Sequence, residues 1–372
     1  MQNETSTRLA ATLGQIDEWV QPSGVKGCGI AVYHHGVLAA ERYAGEARPE
    51  VPVTADTLFG LASVTKPVAA TSVLAAAEDG FLSLDEPVHR HLPEFAEGDW
   101  GRAEAESRAT VTYRQLLSHQ GGRGEDLGAS RESLPSVPSM AELTAAHLRE
   151  PAGNEPGTLI RYSNTGFAIL AVAVERAVGE SFWRYVRRRV LIDPNFDDIV
   201  IRPADGQIDR LVTLSDAANA GTPIESYNSA WWREMALPWG GAYGTPRALA
   251  RFAATFLSRD APALGLSWAS RHEMVRDQTA GRPGGVGSGR VWWDEAAWGL
   301  GWEVKGTKRR HWSGELTSPE TFCHFGQAGT LVWADPRLDL AVAVFTNRSV
   351  AKMWGFILSR WLRLGNALAA AV

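Results

Sequence analysis

The sequence predicts an α/β fold of the α+β kind: an antiparallel sheet flanked by helices and built from both chain ends, with an inserted all-helical lobe. Three observations lead there. Strand-like apolar runs occur near residues 29–43 and return beyond Pro238. The stretch between about 85 and 235 reads as helical segments broken by polar loops rich in Pro and Gly. Helical patterns flank the strand runs at both ends of the chain. The expected division is residues 1–84 with 236–372 for the α/β lobe, and 85–235 for the helical lobe.

Taken in order, Leu9, Leu13, Ile16 and Trp19 set out one face of an amphipathic opening helix. Gly29 to Tyr33 and Val37 to Tyr43 then read as two strands joined in a hairpin around His34-His35-Gly36. Residues 67–80, PVAATSVLAAAEDG, are apolar nearly all round and close on Gly80, which is the pattern of a buried helix. Past Pro238 the expected strands are Trp298 to Lys305, Thr321 to Phe325, Thr330 to Trp333 and Leu340 to Phe345, the last two separated by the turn Asp335-Pro336-Arg337. A final helix, Ala351 to Leu364, carries Met353, Phe356, Ile357, Trp361 and Leu364 on one side. The run RPGGVGSGR, residues 282–290, lacks the Lys-Ser/Thr ending of a phosphate loop and is expected to be a mobile surface loop.

Composition narrows the function classes. The chain has 372 residues, 45% hydrophobic and 21% charged, the balance of a folded globular protein. A formal net charge of −5 gives no basic face for nucleic acid, so no nucleic-acid partner is expected. No stretch approaches the 18 or so apolar residues that would span a bilayer, and no charged start precedes an apolar run at the N-terminus; a cytoplasmic protein with no membrane partner is expected. Cys28 and Cys323 lie far apart without metal-type spacing, so the expectation is two buried free thiols, no metal and no cofactor.

The chemistry begins at Ser63-Val64-Thr65-Lys66. On a helix, i and i+3 share a face, so an amine at 66 is within reach of a hydroxyl at 63. A helix starting here would also aim free N–H groups at developing negative charge. With 24 Ser and five Lys, chance supplies about 0.3 such pairs, and taken alone this one reads as a solvated cap. The second element is Tyr162-Ser163-Asn164. A phenol beside an ammonium is able to relay a proton, and the Asn amide is able to bond a substrate carbonyl or the Lys; the alternative is a loop Tyr with a buried ring. The third is His324-Phe325-Gly326, where Gly326 permits close backbone approach and the N–H of Gln327 is placed to join that of Ser63 in an oxyanion hole. His324 by itself reads as a structural histidine. No G-x-S-x-G elbow is present, which argues against an α/β-hydrolase. In Ser118-His119 the two residues are adjacent and would not face each other on a helix, so His119 reads as structural.

These three elements, in this order, resemble the β-lactamase-like serine hydrolase superfamily, which includes class C β-lactamases, penicillin-binding carboxypeptidases, D-amino-acid-specific peptidases and family VIII carboxylesterases. The resemblance extends through TLFGLASVTKPVAATSVLAAAEDGFLSLDEPV, YRQLLSHQGG, EPGTLIRYSNTGFAILAVAVERAVGESF, GGAYGTPRALARFAATFL and GQAGTLVWADPRLDLAVAVFTNR, roughly residues 20 to 350. It implies the β-lactamase/penicillin-binding-protein transpeptidase-like fold. It also implies Ser63 as the acylated nucleophile, with Lys66 and Tyr162 jointly handling protons. Asn164, His324, Gly326 and Gln327 would bind substrate. A Lys acting as base must be desolvated toward a pKa of about 7–8, so a poorly hydrated pocket is expected.

Many relatives have Lys where this chain has His324; imidazole is largely neutral at pH 7, so anionic substrates are less favoured. Cys323, Phe325 and Gln327 replace smaller residues and are expected to reshape the acyl pocket. Trp231, Trp232, Trp239, Trp292, Trp293, Trp298 and Trp302 are expected in the core, with some forming a wall of the site. The leading expectation is an esterase or amidase acting on a small-molecule ester, an amide or a short peptide. Acyl transfer to an amine or alcohol, D-amino-acid peptidase action and β-lactamase action are enzymatic alternatives. A penicillin-binding-type sensor or binding module is the non-enzymatic one.

Overall fold

The computed structural model describes residues 2–97, 100–260, 264–287 and 290–372. They fall into two compact units. The first comprises Met1–Thr65, Asp193–Leu264 and Lys308–Val372; the second comprises Lys66–Ile192 and Gly265–Thr307. Among the described residues no helix is long and apolar enough to cross a membrane.

The first unit is built on an antiparallel sheet of strands β1 (Gly27–His34), β2 (Val37–Arg48), β3 (Val51–Pro52), β4 (Phe322–Gly326), β5 (Thr330–Asp335) and β6 (Leu340–Thr346). Their order is β4-β5-β6-β1-β2-β3, so the two ends of the chain meet at the β6–β1 pair, in register from Cys28↔Thr346 to His34↔Leu340. Both strands at that seam are buried along nearly their whole length. Residues on both faces of a covered strand must be apolar, which is why β1 and β6 read as continuous hydrophobic runs and not as alternating ones. The helix Pro246–Ala254, capped by Thr245 and opened by a proline, lies against β1, β5 and β6. The helix Gln2–Leu13 lies against β2 and the final helix Val350–Ala371. A smaller sheet joins Phe59–Gly60, Tyr243–Gly244 and Ile199–Val200.

Several boundaries differ from expectation. The opening helix stops at Leu13, and Gly14–Trp19 tightens into a 3-10 turn that still buries Ile16 and Trp19. The final helix runs to Ala371, with non-helical dihedrals at Met353. The segment expected as a strand from Trp298 to Lys305 pairs only over Glu303–Val304, with one bridge from Trp298 to Glu303. Gly301 interrupts it with a left-handed φ of +82°, and a Cβ there would meet the Ala70 Cβ at 2.4 Å. Cys28 and Cys323 are both buried and not joined in a disulfide, as expected.

In the second unit the helix begun at Thr65 continues to Glu78 with Val68, Ala69, Ala70, Val73, Leu74, Ala75 and Ala76 buried. Gly80 ends it at φ +78°, and the N–H of Phe81 reaches back to the Ala76 carbonyl at 2.9 Å, closing the last turn. The unit also holds the helices Arg102–Ala109, Tyr113–Leu117, Met140–Arg149, Asn164–Val178 and Phe182–Arg189, of which Tyr113–Leu117, Met140–Arg149 and Phe182–Arg189 lie against Asn164–Val178. The glycine-rich run expected to be a mobile surface loop is instead largely a hairpin. Gly284–Val286 pairs antiparallel with Val291–Trp293 and parallel with Ile160–Arg161; Ser288 and Gly289 lie outside the described residues. Its glycines allow close contact: a Cβ on Gly284 would sit 2.2 Å from the Ile160 carbonyl oxygen, and one on Gly285 2.2 Å from that of Val291.

Candidate active site

Ser63 is the central residue of a 3-10 turn, Ala62–Val64, that leads straight into the helix Thr65–Glu78. Preceding it, Ala62 adopts a left-handed φ of +50°, a conformation an L-residue holds only when its surroundings enforce it. They do so from two sides. The Leu61 N–H donates to the Ala242 carbonyl at 2.8 Å, and the Thr330 hydroxyl donates to the Leu61 carbonyl at 2.8 Å. The Thr65 hydroxyl accepts from the Ala242 N–H at 3.2 Å. Ser63 itself is half-buried.

Strand β4 lies against this turn, and Gly326 makes the approach possible. A Cβ at 326 would stand 2.4 Å from the Leu61 oxygen, 2.4 Å from Thr330 Oγ1 and 2.9 Å from the Ala62 Cβ. Strand residues alternate in facing, so Phe322, His324 and Gly326 share the face that meets the turn, while Cys323 and Phe325 take the other. Phe325 accordingly packs on Trp312, Trp354 and Trp361, at ring-centroid distances of 4.9, 5.9 and 6.3 Å. Cys323 Sγ lies 3.6 Å from His311 Nε2. The expectation that Cys323 and Phe325 reshape the acyl pocket is thereby corrected, because both side chains point away from the Ser63 turn. His324 is buried, with Nδ1 2.9 Å from the Phe325 carbonyl. Gln327 follows at an exposed corner, where its carbonyl accepts from the Val350 N–H at 2.9 Å.

One helical turn after Ser63, Lys66 belongs to the second unit and is fully buried. Its Nζ donates to Asn164 Oδ1 at 2.6 Å and lies 4.8 Å from the centroid of the Tyr162 ring and 5.6 Å from that of Phe167. Burial pushes the amine down from 10.5 to about 7, against the opposing pull of the Asp126 and Glu125 carboxylates. Lys66, Tyr162 and Asn164, three of the residues singled out in the sequence, therefore stand together.

The Tyr162 segment is fixed by the start of the helix Asn164–Val178. Ser163 caps it, accepting from the Gly166 N–H at 2.8 Å and donating to the Gly124 carbonyl at 2.7 Å. The Asn164 N–H donates to the Glu125 carbonyl at 2.7 Å, and that of Tyr162 to the Gly285 carbonyl at 3.3 Å. Among the expected tryptophans, Trp298 meets the Tyr162 ring at 5.9 Å, while Trp292 is 53% exposed on the hairpin. The carbonyls of Gly124, Glu125 and Gly285 carry no local sequence signal. A backbone oxygen is common to every residue, so only the tertiary fold reveals which ones are used.

The sheet assembled from both chain ends and the comparisons with known proteins place the chain among the serine hydrolases. Within it the match is specific: the Beta-lactamase family model covers residues 15–355, and the chain belongs to that family. Esterase EstB of Burkholderia gladioli is 35% identical over 187 residues, 46% of this chain and 46% of that protein, so the match spans less than half of the esterase's length. Two solved structures have the same fold. A penicillin-binding protein homologue from Caulobacter crescentus has a TM-score of 0.76 at 23% identity, covering 98% of each chain. EstCE1, a hydrolase with promiscuous acyltransferase activity, has a TM-score of 0.78 at 20% identity, covering 98% of this chain and 99% of its own.

Proposed function

We propose that the chain hydrolyses uncharged carboxylic esters, and more slowly amides, through an acyl-enzyme on Ser63. The observation that carries this reading is the buried Lys66, hydrogen-bonded to Asn164 beside the Tyr162 ring and poised near neutrality. Three residues earlier on the same turn and helix, the Ser63 hydroxyl passes its proton to the neutral amine as its oxygen attacks the carbonyl carbon. The resulting oxyanion is held by the N–H groups of Ser63 and Gln327, and each such donor typically lowers the barrier by about 2.7–4 kcal/mol. Tyr162 protonates the departing alkoxide or amine as its bond to carbon breaks. Water, deprotonated by the same Lys66 and Tyr162 pair, then attacks the acyl carbon and releases the acid, restoring the Ser63 hydroxyl.

The substrate class follows from His324, which stands on the strand face that meets the Ser63 turn. An imidazole holds a carboxylate less firmly at neutral pH than an ammonium does, so uncharged esters are favoured over anionic substrates. The esterase named among the relatives agrees with this choice. A panel of p-nitrophenyl acetate, p-nitrophenyl butyrate, a D-alanyl anilide and a chromogenic cephalosporin, run on the native chain and on Ser63→Ala, tests it. Ester turnover that vanishes in the variant, with slow cephalosporin cleavage, is expected. Equal ester rates in the two proteins would remove Ser63 from the reaction, and efficient cephalosporin hydrolysis would overturn the choice of substrate.

A further inference from the structure

We infer that His119 is a positioning residue that fixes the Tyr162 phenol, an inference that rests on the role proposed above for Tyr162. His119 meets the tyrosine segment three times. Its carbonyl accepts the Arg161 N–H at 2.8 Å, and its Nδ1 accepts the Ser163 N–H at 3.0 Å, so one residue holds the backbone on both sides of Tyr162. Its ring lies 4.5 Å from the Tyr162 ring at 40°, and Trp298 meets the imidazole edge-on at 4.8 Å and 82°. A ring nitrogen that accepts a backbone N–H carries no proton, so the neutral imidazole is the Nε2–H tautomer.

Backbone position and ring plane together determine where a phenol oxygen stands, because tyrosine has two side-chain torsions. His119 constrains both at once. No other side chain combines a flat ring with an acceptor at that point: asparagine supplies the acceptor alone, phenylalanine the ring alone. His119 is also buried with a left-handed φ of +59°, just past the helix Tyr113–Leu117, where glycine or asparagine is the easier choice. A helix end needs no imidazole there, whereas the tyrosine clamp uses its ring, its Nδ1 and its carbonyl.

A double-mutant cycle tests this with p-nitrophenyl acetate as substrate and His119→Phe, His119→Asn, Tyr162→Phe and both double variants as proteins. Melting midpoints and near-UV circular dichroism identify the folded variants. Proton transfer depends steeply on geometry, so folded His119→Phe should lose about 30-fold in kcat with KM within about twofold. In a Tyr162→Phe background the same change should cost less than about twofold, since the group being positioned is already gone. If His119→Phe does not fold, His119→Asn carries the test, with a kcat loss of about 10-fold that again disappears in the Tyr162→Phe background. Losses that multiply in the double variants, or wild-type kcat in folded His119→Asn, would overturn the inference. Wild-type kcat in Tyr162→Phe alone would instead overturn the proposed role of Tyr162 and the inference with it.

Discussion

The Ser63 turn and the Tyr162–Asn164 segment are held in different ways. Around Ser63 hydrogen bonds at Leu61 and Thr65 are joined by a steric constraint. Ala62 is pressed into a left-handed conformation, and β4 approaches so closely that position 326 has no room for a side chain. Around Tyr162 the constraint is polar: successive N–H groups are each taken by a named acceptor, and a buried amine is bonded to Asn164. The difference teaches that the proposed nucleophile is set chiefly by packing that tolerates no added atom, whereas the groups proposed to handle protons are set by hydrogen bonds in a buried environment that also lowers the Lys66 pKa.

The largest effect should come from Lys66→Met, which removes the amine while keeping an unbranched apolar stem. Ester kcat/KM should fall by about 10²–10⁴, the usual worth of a general base. Stability should move the other way. The folded pKa, about 7, lies below the ordinary lysine value of 10.5, so between these limits the unfolded chain binds more protons and stability rises with pH. The cost of burying the ammonium, on the order of 5 kcal/mol from that depression, is present in full below pH 7 and fades toward pH 10.5. Loss of the bond to Asn164 offsets part of the gain. The variant should therefore melt at or above the native temperature at pH 6, with the gap shrinking as pH rises; a clearly lower melting point at pH 6 would break the polar half of the comparison.

The same titration predicts the activity profile. Only the neutral amine accepts a proton, so kcat/KM of the native enzyme should fall about tenfold per unit below an acid limb centred near pH 7. Gly326→Ala sharpens the contrast. Its methyl meets a backbone oxygen, so β4 or the turn must shift, at roughly 1–3 kcal/mol in stability. Ester kcat should drop while the acid limb stays in place, because the packing around Ser63 is disturbed and that around Lys66 is not. A displaced limb would show that the two regions are not separable. The smallest effect belongs to Asp126→Asn. Its carboxylate favours the Lys66 ammonium, so removing it should move the limb to lower pH by roughly a few tenths of a unit. Movement to higher pH would contradict the assignment of the limb to Lys66.

What was legible in the sequence follows the same division. The β6–β1 seam was readable because strands covered on both faces must be apolar throughout; Ser63, Lys66, Tyr162 and Asn164 stood out as short motifs whose roles came from the family resemblance, and the structure brings Lys66, Tyr162 and Asn164 together. Gly301 hid the true course of Trp298 to Lys305, since apolar periodicity does not register a left-handed glycine. The glycines of 282–290 suggested a loop, but Gly284 and Gly285 serve a hairpin whose neighbours lie too close for side chains. His119 read as structural because the segment it holds lies 44 residues downstream, beyond any local pattern.

Acylation of the hydroxyl at 63 is the step on which everything else depends, and intact-mass spectrometry of rapidly quenched protein observes it directly. Incubation with a slowly hydrolysed p-nitrophenyl ester should add one acyl mass to the native chain, located by peptide mapping at Ser63, and none to Ser63→Ala. An adduct of equal yield in the alanine variant, or one mapped to another residue, would contradict the account.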